Sequence, residues 1–547
     1  MISKTIKIRQ RDAGLCLKAS SLWSLLFWVL FLGTILPVVG VLIWSSFSFS
    51  IAADFYSPLL STASETFLLL LYTLFFASLW AIPVAYICAF YKFKGSKLWP
   101  YLFVFPIAIP SYLNSFVFSE IFYYSGFIGT YYKSLTGDDI PFNIHSIFGA
   151  ALVLSLSLFP YLFLPLYVRW KNFPKDLNAF LHLEGISHYQ RLRKHILPMG
   201  MPIIYFGLSL IAMETLADFG TTSFLGVNSL SVFLFNIWQQ TIETSLIISV
   251  AMIFMTLMIC IRSLQSWNKK YNLISERGKS SHEAHHPTKT RPLLSLLSTA
   301  FFCVIFTLSF ALPVGYFLYH TLSQEHIYIV KSLTVLWNTA FPAFTASFFA
   351  VIISLFFSFH QKLKNRKYLD VLIHVSTMGY AIPGIVIGII VLIVFNAIDH
   401  FLIDVFVLPA MAYLSGGFFA LIFAYYLRFL TVAYNNIHAS GLQVSIILHE
   451  FSSLHSIKPK IFIQEVIVPI MKTPVAIGFV LVFIDIIKEL PMTFILRPFG
   501  FESLATFTYN MAGLEQIAEA SPSALLIIGF GLIACIMPFR LLKKYNP

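Results

Sequence analysis

Long apolar stretches alternate with short polar ones along the whole chain. A helix needs about 20 mostly apolar residues to cross a bilayer, so windows of that length bounded by charged or turn-forming residues predict membrane spans. Such windows lie near residues 22–45, 62–91, 98–119, 145–168, 199–223, 242–265, 292–320, 337–361, 369–397, 407–431, 470–490 and 521–541. The pattern therefore predicts an all-α polytopic membrane protein with about twelve transmembrane helices.

The composition agrees with this fold class. The chain has 547 residues, of which 58% are hydrophobic and 11% charged, and its mean hydropathy is +0.81. Five basic residues precede the first window, as in a signal peptide, but the apolar run is too long and lacks a small-residue cleavage site. We expect residues 22–45 to be retained as a helix.

Positive charge follows the predicted topology. Cytoplasmic loops retain Lys and Arg during membrane insertion. With both termini placed in the cytoplasm, all but four of the 36 Lys and Arg residues lie on or beside the cytoplasmic face, including Arg428. The exceptions are Lys133, Lys331, Lys488 and Arg497. The net charge of +12 thus reports topology, and we predict no nucleic-acid partner.

Internal symmetry divides the chain into two halves. Residues 267–291 form a polar, Ser-, His- and Lys-rich cytoplasmic linker after the sixth window. The turn "FPIAIPSY" around Pro110 corresponds to "MGYAIPGI" around Pro383. Six spans in each half give both halves the same orientation, so the repeat is parallel.

A polar, basic segment recurs at the same point of each half. Gly185 to Pro198 and Ser456 to Pro469 are each thirteen residues apart and are followed by an apolar run. We predict a short helix, a break at Gly185 or Ser456, a second helix, and a proline that opens the next span. The alternative is that any cytoplasmic loop is basic. Two copies in register favour a pair of docking elbows.

Acidic residues repeat in register with the elbows. Glu214 and Asp218 lie 16 and 20 residues after Pro198, as Asp485 and Glu489 do after Pro469. Carboxylates four residues apart share one helix face, about 24 to 30 Å beyond the elbow. Because charge in lipid is costly, they should face a cavity or a partner, and a cationic substrate is favoured. In the alternative, Lys488 and Arg497 neutralise two acids and the others join the halves through hydrogen bonds.

Other motifs carry less information. His282, Glu283 and His286 match a zinc-protease pattern, but Pro287 follows and no apolar stripe would pack such a helix. No Walker sequence is present, so ATP would be hydrolysed by another polypeptide. The five cysteines are scattered and predict neither a disulfide framework nor a zinc site. Tyr123, Tyr124, Tyr131 and Tyr132 could be phenolate ligands of a hard metal ion or an interfacial aromatic belt.

The elbows resemble the cytoplasmic coupling loop of binding-protein-dependent ABC importer permeases. That pattern is Glu-Ala-Ala, three residues, Gly, nine residues, Ile-x-Leu-Pro. The second copy fits with Glu450, Phe451, Ser452, Ser456, Val466, Val468 and Pro469. The first copy matches at Gly185, Leu197 and Pro198, but Ala179 occupies the acidic position and His195 the Ile position. The resemblance implies that this helix fits a groove on an ATP-binding subunit and that the two docks are unequal.

Two longer stretches, Met213 to Trp238 and Asp485 to Ala512, resemble fused, two-half permeases for ferric iron. The resemblance implies the MetI-like ABC transporter type-1 permease fold. Its domains would be an N-terminal basic segment with the first helix (1–60), transmembrane domain 1 (61–266), the linker (267–291), the seventh helix with an outer loop (292–334), and transmembrane domain 2 (335–541).

The function implied is the permease subunit of an ABC importer in the inner membrane of a bacterium. It would receive ferric ion from a soluble binding protein and be driven by two copies of a separate ATP-binding subunit. This chain would catalyse no reaction and bind no cofactor, since ATP and Mg²⁺ would be bound by the partner. Alternatives are a permease for thiamine, polyamine or an oxyanion, and a proton-coupled secondary transporter in which the four acids relay protons.

Overall fold

A computed structural model describes residues 53–139, 141–240, 244–276, 287–289, 291–323, 326–364, 379–407, 413–454 and 468–545, together with 373, 376, 377, 409 and 411. The predicted first span at 22–45, the zinc-protease pattern at 282–286 and Ser456 lie outside these residues.

Helices form nearly all of the described chain. The helices of the first half are α1 (Ala53–Phe90), α2 (Trp99–Leu102), α3 (Ser111–Phe122), α4 (Phe127–Thr136), α5 (Ile147–Leu158), α6 (Pro160–Lys171), α7 (Lys175–Leu183), α8 (His188–Arg191), α9 (Leu197–Ala217), α10 (Gly220–Phe224), α11 (Leu230–Gln240) and α12 (Thr244–Glu276). A 3₁₀ turn (Phe105–Ala108) precedes α3, and a π-helical turn (Leu192–Ile196) joins α8 to α9.

The structure describes nine helices of the second half. Its helices are α13 (Pro292–Phe306), α14 (Leu312–Ser323), α15 (His326–Lys364), α16 (Gly384–Phe406), α17 (Phe418–Leu454), α18 (Val468–Ile487), α19 (Pro491–Leu496), α20 (Leu504–Gly513) and α21 (Ile517–Tyr545). A π-helical turn (Thr307–Ala311) joins α13 to α14, and a 3₁₀ turn (Gly379–Ala381) precedes α16.

The helices confirm a polytopic membrane protein. Within the described residues, seven helices are long and apolar enough to cross a bilayer, and two bent helix pairs raise this number to nine. The pairs are Trp99–Ala108 with Ser111–Thr136, bent by 92°, and Ile147–Leu158 with Pro160–Lys171, bent by 43°. Helices α12 and α18 occupy two further predicted windows. The predicted windows other than 22–45 therefore each contain described helix.

In the window 369–397, helix α16 begins only at Gly384. The cause is Pro383, whose extended conformation (φ −56°, ψ 142°) breaks the helix. Pro110 has the same conformation (φ −55°, ψ 142°) in front of α3, again after a 3₁₀ turn. The two "AIP" turns are thus structural equivalents, as the sequence repeat predicted.

One large apolar cluster combines both halves. Buried residues of α3, α9, α12 and the short helix α11 pack in the same cluster as buried residues of α15 to α20. A second cluster belongs almost wholly to the first half, where α1 packs against α5 and α6. Residues at the end of the linker return to the first half: strand β2 (Thr288–Lys289) pairs in parallel with β1 (Tyr91–Lys92).

Candidate functional site

The first elbow has the predicted break at Gly185. Helix α7 ends in a left-handed turn at Gly185 (φ +67°), and the Ile186 N–H bonds to the Leu181 carbonyl at 3.3 Å, as in a Schellman motif. Ser187 then caps α8 by accepting a hydrogen bond from the Gln190 N–H at 3.3 Å. The sequence therefore encodes both the end of one short helix and the start of the next.

Pro198 is the second residue of α9, as predicted for a proline that opens a span, but helical structure also precedes it. Helical structure continues from α8 through the π turn Leu192–Ile196 into α9, and the apolar span runs from Tyr189 to Ala217. A proline inside a helix lacks an N–H and its ring crowds the preceding turn. The π turn lies immediately before Leu197 and Pro198 and lets the helix continue past the proline. The second helix of the elbow, α8, and the span α9 thus form one continuous helical rod.

Other contacts fix this rod to the first half and leave the elbow surface open. The Trp170 indole N–H on α6 donates to the Ile196 carbonyl at 3.2 Å, and a Cβ at Gly200 would crowd that indole. At the tip of the elbow, Phe180, Leu183 and Tyr189 are 54%, 87% and 67% exposed. An apolar surface of this kind suits packing against another protein.

Less of the second elbow is described. Glu450 lies in the last turns of α17, and Pro469 is exposed at the start of α18. Helix α17 continues through Glu450 to Leu454, where the described part of this segment ends.

The four predicted acids meet at one cavity. Helices α9 and α18 bring Glu214, Asp218, Asp485 and Glu489 to the wall of a cavity of about 180 Å³ between the halves. Its other polar lining residues are Ser111, Tyr112, Ser157, Tyr161, Tyr380, Arg428 and Lys488. No group of three His, Cys, Asp or Glu in the described residues is arranged to hold a metal ion. The carboxylates therefore surround the cavity and do not converge on one point.

Asp218 is held by hydroxyl and amide groups of the first half. It follows α9 in an extended conformation and accepts bonds from the backbone N–H groups of Thr221 and Thr222 at 3.0 and 3.1 Å. The Thr221 and Ser111 hydroxyls add bonds of 3.0 and 2.6 Å. The carboxylate thereby caps α10 and connects it to the start of α3.

Glu489 is held by a cation. Arg428 Nη1 on α17 lies 2.8 Å from both carboxylate oxygens, and the two side chains are only 12% and 7% exposed. A Cβ at Gly384 would overlap both the guanidinium and the carboxylate, so the pair fits only beside a glycine. The expected cytoplasmic position of Arg428 is wrong: it lies inside α17 and faces the cavity. Arg497, expected to neutralise an acid, instead lies 5.0 Å from the Phe494 ring centroid.

The remaining charged groups link the halves more loosely. The Tyr380 hydroxyl of the second half donates to Glu214 at 3.1 Å, and Lys488 Nζ lies 3.4 Å from the Ile107 carbonyl of the first half. Asp485 lines the cavity and accepts no hydrogen bond from the described residues. A hydrogen bond between the halves thus occurs as the sequence-based alternative expected, but the ion pair of this site is made by Arg428 and not by Lys488 or Arg497.

An aromatic cluster lies between this cavity and a second one. Tyr509 of α20 lies 5.9 Å from Phe116, 6.1 Å from Phe219 and 5.6 Å from Phe494, measured between ring centroids. Phe116 and Phe224 are 4.5 Å apart. Phe219 lines the acidic cavity, whereas Tyr509 and Phe224 line a second cavity beyond it. We call Phe116, Phe219, Phe224, Phe494 and Tyr509 the aromatic plug.

Sequence reasoning missed three residues of this site. Ser111, Tyr380 and Arg428 each hold one of the acids. Arg428 had a usable signal, because an arginine within an apolar window requires a partner or a cavity. Ser111 follows directly on the "AIP" turn, which had been used only as evidence of the repeat.

Comparison with known proteins defines the class. Residues 81–270 match the family described as "Binding-protein-dependent transport system inner membrane component". This part of the chain, which includes the first elbow, Glu214 and Asp218, belongs to that family. Together with the apolar helices, this match indicates a multi-pass inner-membrane transport component of a kind that depends on a binding protein.

Two relatives are more specific. The chain is 24% identical over 483 residues to the "Fe(3+)-transport system permease protein FbpB 2" of Haemophilus influenzae, a match that covers 85% of this chain and 87% of the relative. It is 23% identical over 266 residues to the "Probable sulfate transport system permease protein cysT" of Chlorokybus atmophyticus, covering 46% of this chain and 90% of the relative. The match over both halves supports the fused, two-half permease inferred from the sequence.

Proposed function

We propose that this chain is the permease of an ABC importer that carries ferric ion from a soluble binding protein across the inner membrane of a bacterium. Two copies of a separate subunit would bind ATP and Mg²⁺ and dock on the two elbows. Both termini would be cytoplasmic. The likeness to a ferric transport permease over most of the chain supports this assignment.

The observation that carries the proposal is the charge of the cavity between the halves. Four carboxylates and two cationic side chains line it, so acidic groups predominate. Carboxylate oxygens suit hard metal cations. Because no three of these acids are gathered as a metal site in the described residues, the wall would pass a cation onward and would not retain it. A site that bound the ion tightly in this cavity would slow release of the ion.

The route from ATP to the cavity is mechanical. Helix α9 and the turns before it connect the elbow to Asp218 without a break, over about 30 Å at 1.5 Å per residue. Movement of the elbow would therefore displace Asp218, α10 and the Phe219 and Phe224 rings of the aromatic plug. ATP binding would open the plug towards the binding protein, and hydrolysis would close it again.

The other candidate substrates differ from ferric ion in charge or in size. Sulfate, the cargo in the name of the shorter relative, is a divalent anion that four carboxylates would repel. Thiamine and polyamines are organic cations larger than a bare metal ion and would have to fit a cavity of about 180 Å³. A proton-coupled transporter could use the same acids but would need neither ATP nor the elbows.

Transport in sealed vesicles distinguishes these functions. The purified chain would be reconstituted with its ATP-binding subunit and a ferric-loaded binding protein, and uptake of radiolabelled iron, sulfate, thiamine and spermidine would be compared. We expect iron uptake that requires both ATP and the ATP-binding subunit. Iron uptake by the chain alone under a proton gradient would contradict the proposal, as would ATP-driven uptake of another cargo in place of iron.

A further inference from the structure

The second cavity lies beyond the aromatic plug, at the end of the molecule opposite the elbows. It has a volume of about 920 Å³ and is lined by residues of both halves. Helix α3 leads from Ser111 at the acidic cavity to Ser119 and Glu120 at this one, and α10 leads from Asp218 to Ser223 and Phe224. The two cavities therefore lie in series, separated by the plug.

Oxygen and nitrogen donors are concentrated on the wall of this outer cavity. They are Glu120, Tyr123, Tyr124, Asp139, His145 and Glu515. The Tyr123 hydroxyl donates to the Tyr124 hydroxyl at 2.5 Å, so two phenol oxygens from adjacent residues point to one place. The His145 ring lies 5.4 Å from the Tyr123 ring, and its Nε2 lies 2.8 Å from the Ser119 hydroxyl oxygen.

The backbone at Glu515 supplies an independent observation. Helix α20 ends in a Schellman turn, with the Gln516 N–H bonded to the Met511 carbonyl at 2.9 Å. Glu515 occupies the left-handed position of that turn (φ +62°), where glycine is the usual residue. A side chain at positive φ carries a conformational cost that glycine avoids, and such residues concentrate at functional sites. Glu515 thus places a carboxylate at the wall of the cavity, although its backbone conformation favours glycine.

We propose that the outer cavity is a receiving site for ferric ion, with Tyr123 and Tyr124 as paired phenolate ligands and Glu515 as a carboxylate ligand. The inference rests on the proposed function and extends it to a second site. Phenolate and carboxylate are hard donors that suit a ferric ion. Three protein ligands leave positions open on the metal, so the ion could arrive while a carrier or chelator still holds it.

A site of this kind would order the steps of transport. The ion would first bind outside the closed aromatic plug and enter the acidic cavity only when the plug opens. The described residues contain no three His, Cys, Asp or Glu that form a metal site, so the tyrosines are indispensable to this arrangement.

The test is a ferric citrate titration of the full chain in detergent, followed by the phenolate-to-iron charge-transfer band in the visible spectrum. We expect a saturable band in the wild-type protein. Tyr123→Phe and Tyr124→Phe should each weaken binding at least tenfold. Tyr131→Phe is the matched control, because Tyr131 is 61% exposed on α4 and does not line the cavity. Asp485→Asn in the acidic cavity should leave the band unchanged.

Glu515→Gly separates ligand loss from misfolding. Glycine suits the left-handed backbone, so this variant should melt at the wild-type temperature or above, while its ferric affinity falls several-fold. A wild-type protein without the band, or a band that survives both tyrosine substitutions, would overturn the receiving site. If vesicles containing such a protein still import iron with ATP, the proposed function stands and only this site is lost. Vesicles that import no iron refute the function itself.

Discussion

The two halves place a carboxylate at the same point of the repeat and stabilise it by different means. In the first half, Ser111 follows the "AIP" turn and donates directly to Asp218. In the second half, Gly384 occupies the position after the turn and leaves room for Arg428 to pair with Glu489. Asp218 is therefore held by neutral hydroxyl and amide donors, whereas Glu489 is held by a cationic partner. The acid has the same position in both halves, and the residue after the turn, serine or glycine, differs together with the group that holds the acid.

This comparison predicts that Arg428→Ala has the largest effect. Removal of the guanidinium leaves Glu489 buried without its charge partner, a change that costs about 3–5 kcal/mol in typical buried ion pairs. Ser111→Ala in the other half removes one of four bonds to Asp218 and should cost about 1.5–3 kcal/mol. Thermal unfolding in detergent, read by tryptophan fluorescence, measures both. Equal destabilisation of the two variants would break the proposed distinction between the halves.

The second-largest predicted effect distinguishes Asp218, whose hydrogen bonds stabilise the fold, from Asp485, which faces the cavity without such bonds. Asp218→Asn should lower the melting temperature, because the new amide N–H group would face donors that now bond to the carboxylate. Asp485→Asn should leave it unchanged, because Asp485 accepts no hydrogen bond from the described residues. Both should reduce iron uptake, by roughly tenfold if one charge contributes about 1.4 kcal/mol to the barrier. An Asp485→Asn protein with wild-type uptake would remove this residue from the pathway.

A smaller effect is expected at the first elbow. Gly185→Ala places a side chain at φ +67° and should cost about 1 kcal/mol while tilting α8 relative to α7. Gly137→Ala is the matched control: Gly137 has φ +81°, has open space around its Cα and lies far from the elbow. Stimulation of the ATP-binding subunit should fall for Gly185→Ala alone. Loss in both variants would show a general folding defect and no specific role for the elbow.

The smallest predicted effect tests whether the two elbows bind the ATP-binding subunit with different strength. Glu450→Ala should weaken recruitment of the ATP-binding subunit a few-fold, consistent with about 1 kcal/mol for a partly exposed ion pair. Glu184→Ala in the first elbow should have no effect, because this exposed residue lies out of register with the acidic position. Pull-down with the purified ATP-binding subunit compares them. Identical behaviour would contradict the assigned register.

The sequence predicted features that depend on local chemistry. Apolar windows located the spans, Gly185 marked the break of the elbow, and equal spacing from two prolines identified four acids that line one cavity. Contacts between distant segments escaped prediction. Arg428 and Glu489 are 61 residues apart and Tyr380 and Glu214 are 166 apart, so their pairing depends on how the helices pack. The start of α16 was missed because apolar composition is the same on both sides of Pro383.

The central claim is that force from the elbows moves a cation past carboxylates shared by the two halves. Its most direct test is the number of ferric ions imported per ATP hydrolysed in sealed vesicles, compared between the wild-type chain and Asp485→Asn in the same assembly. The account predicts that Asp485→Asn still supports ATP hydrolysis but imports far fewer ions per ATP. An unchanged ratio would contradict it.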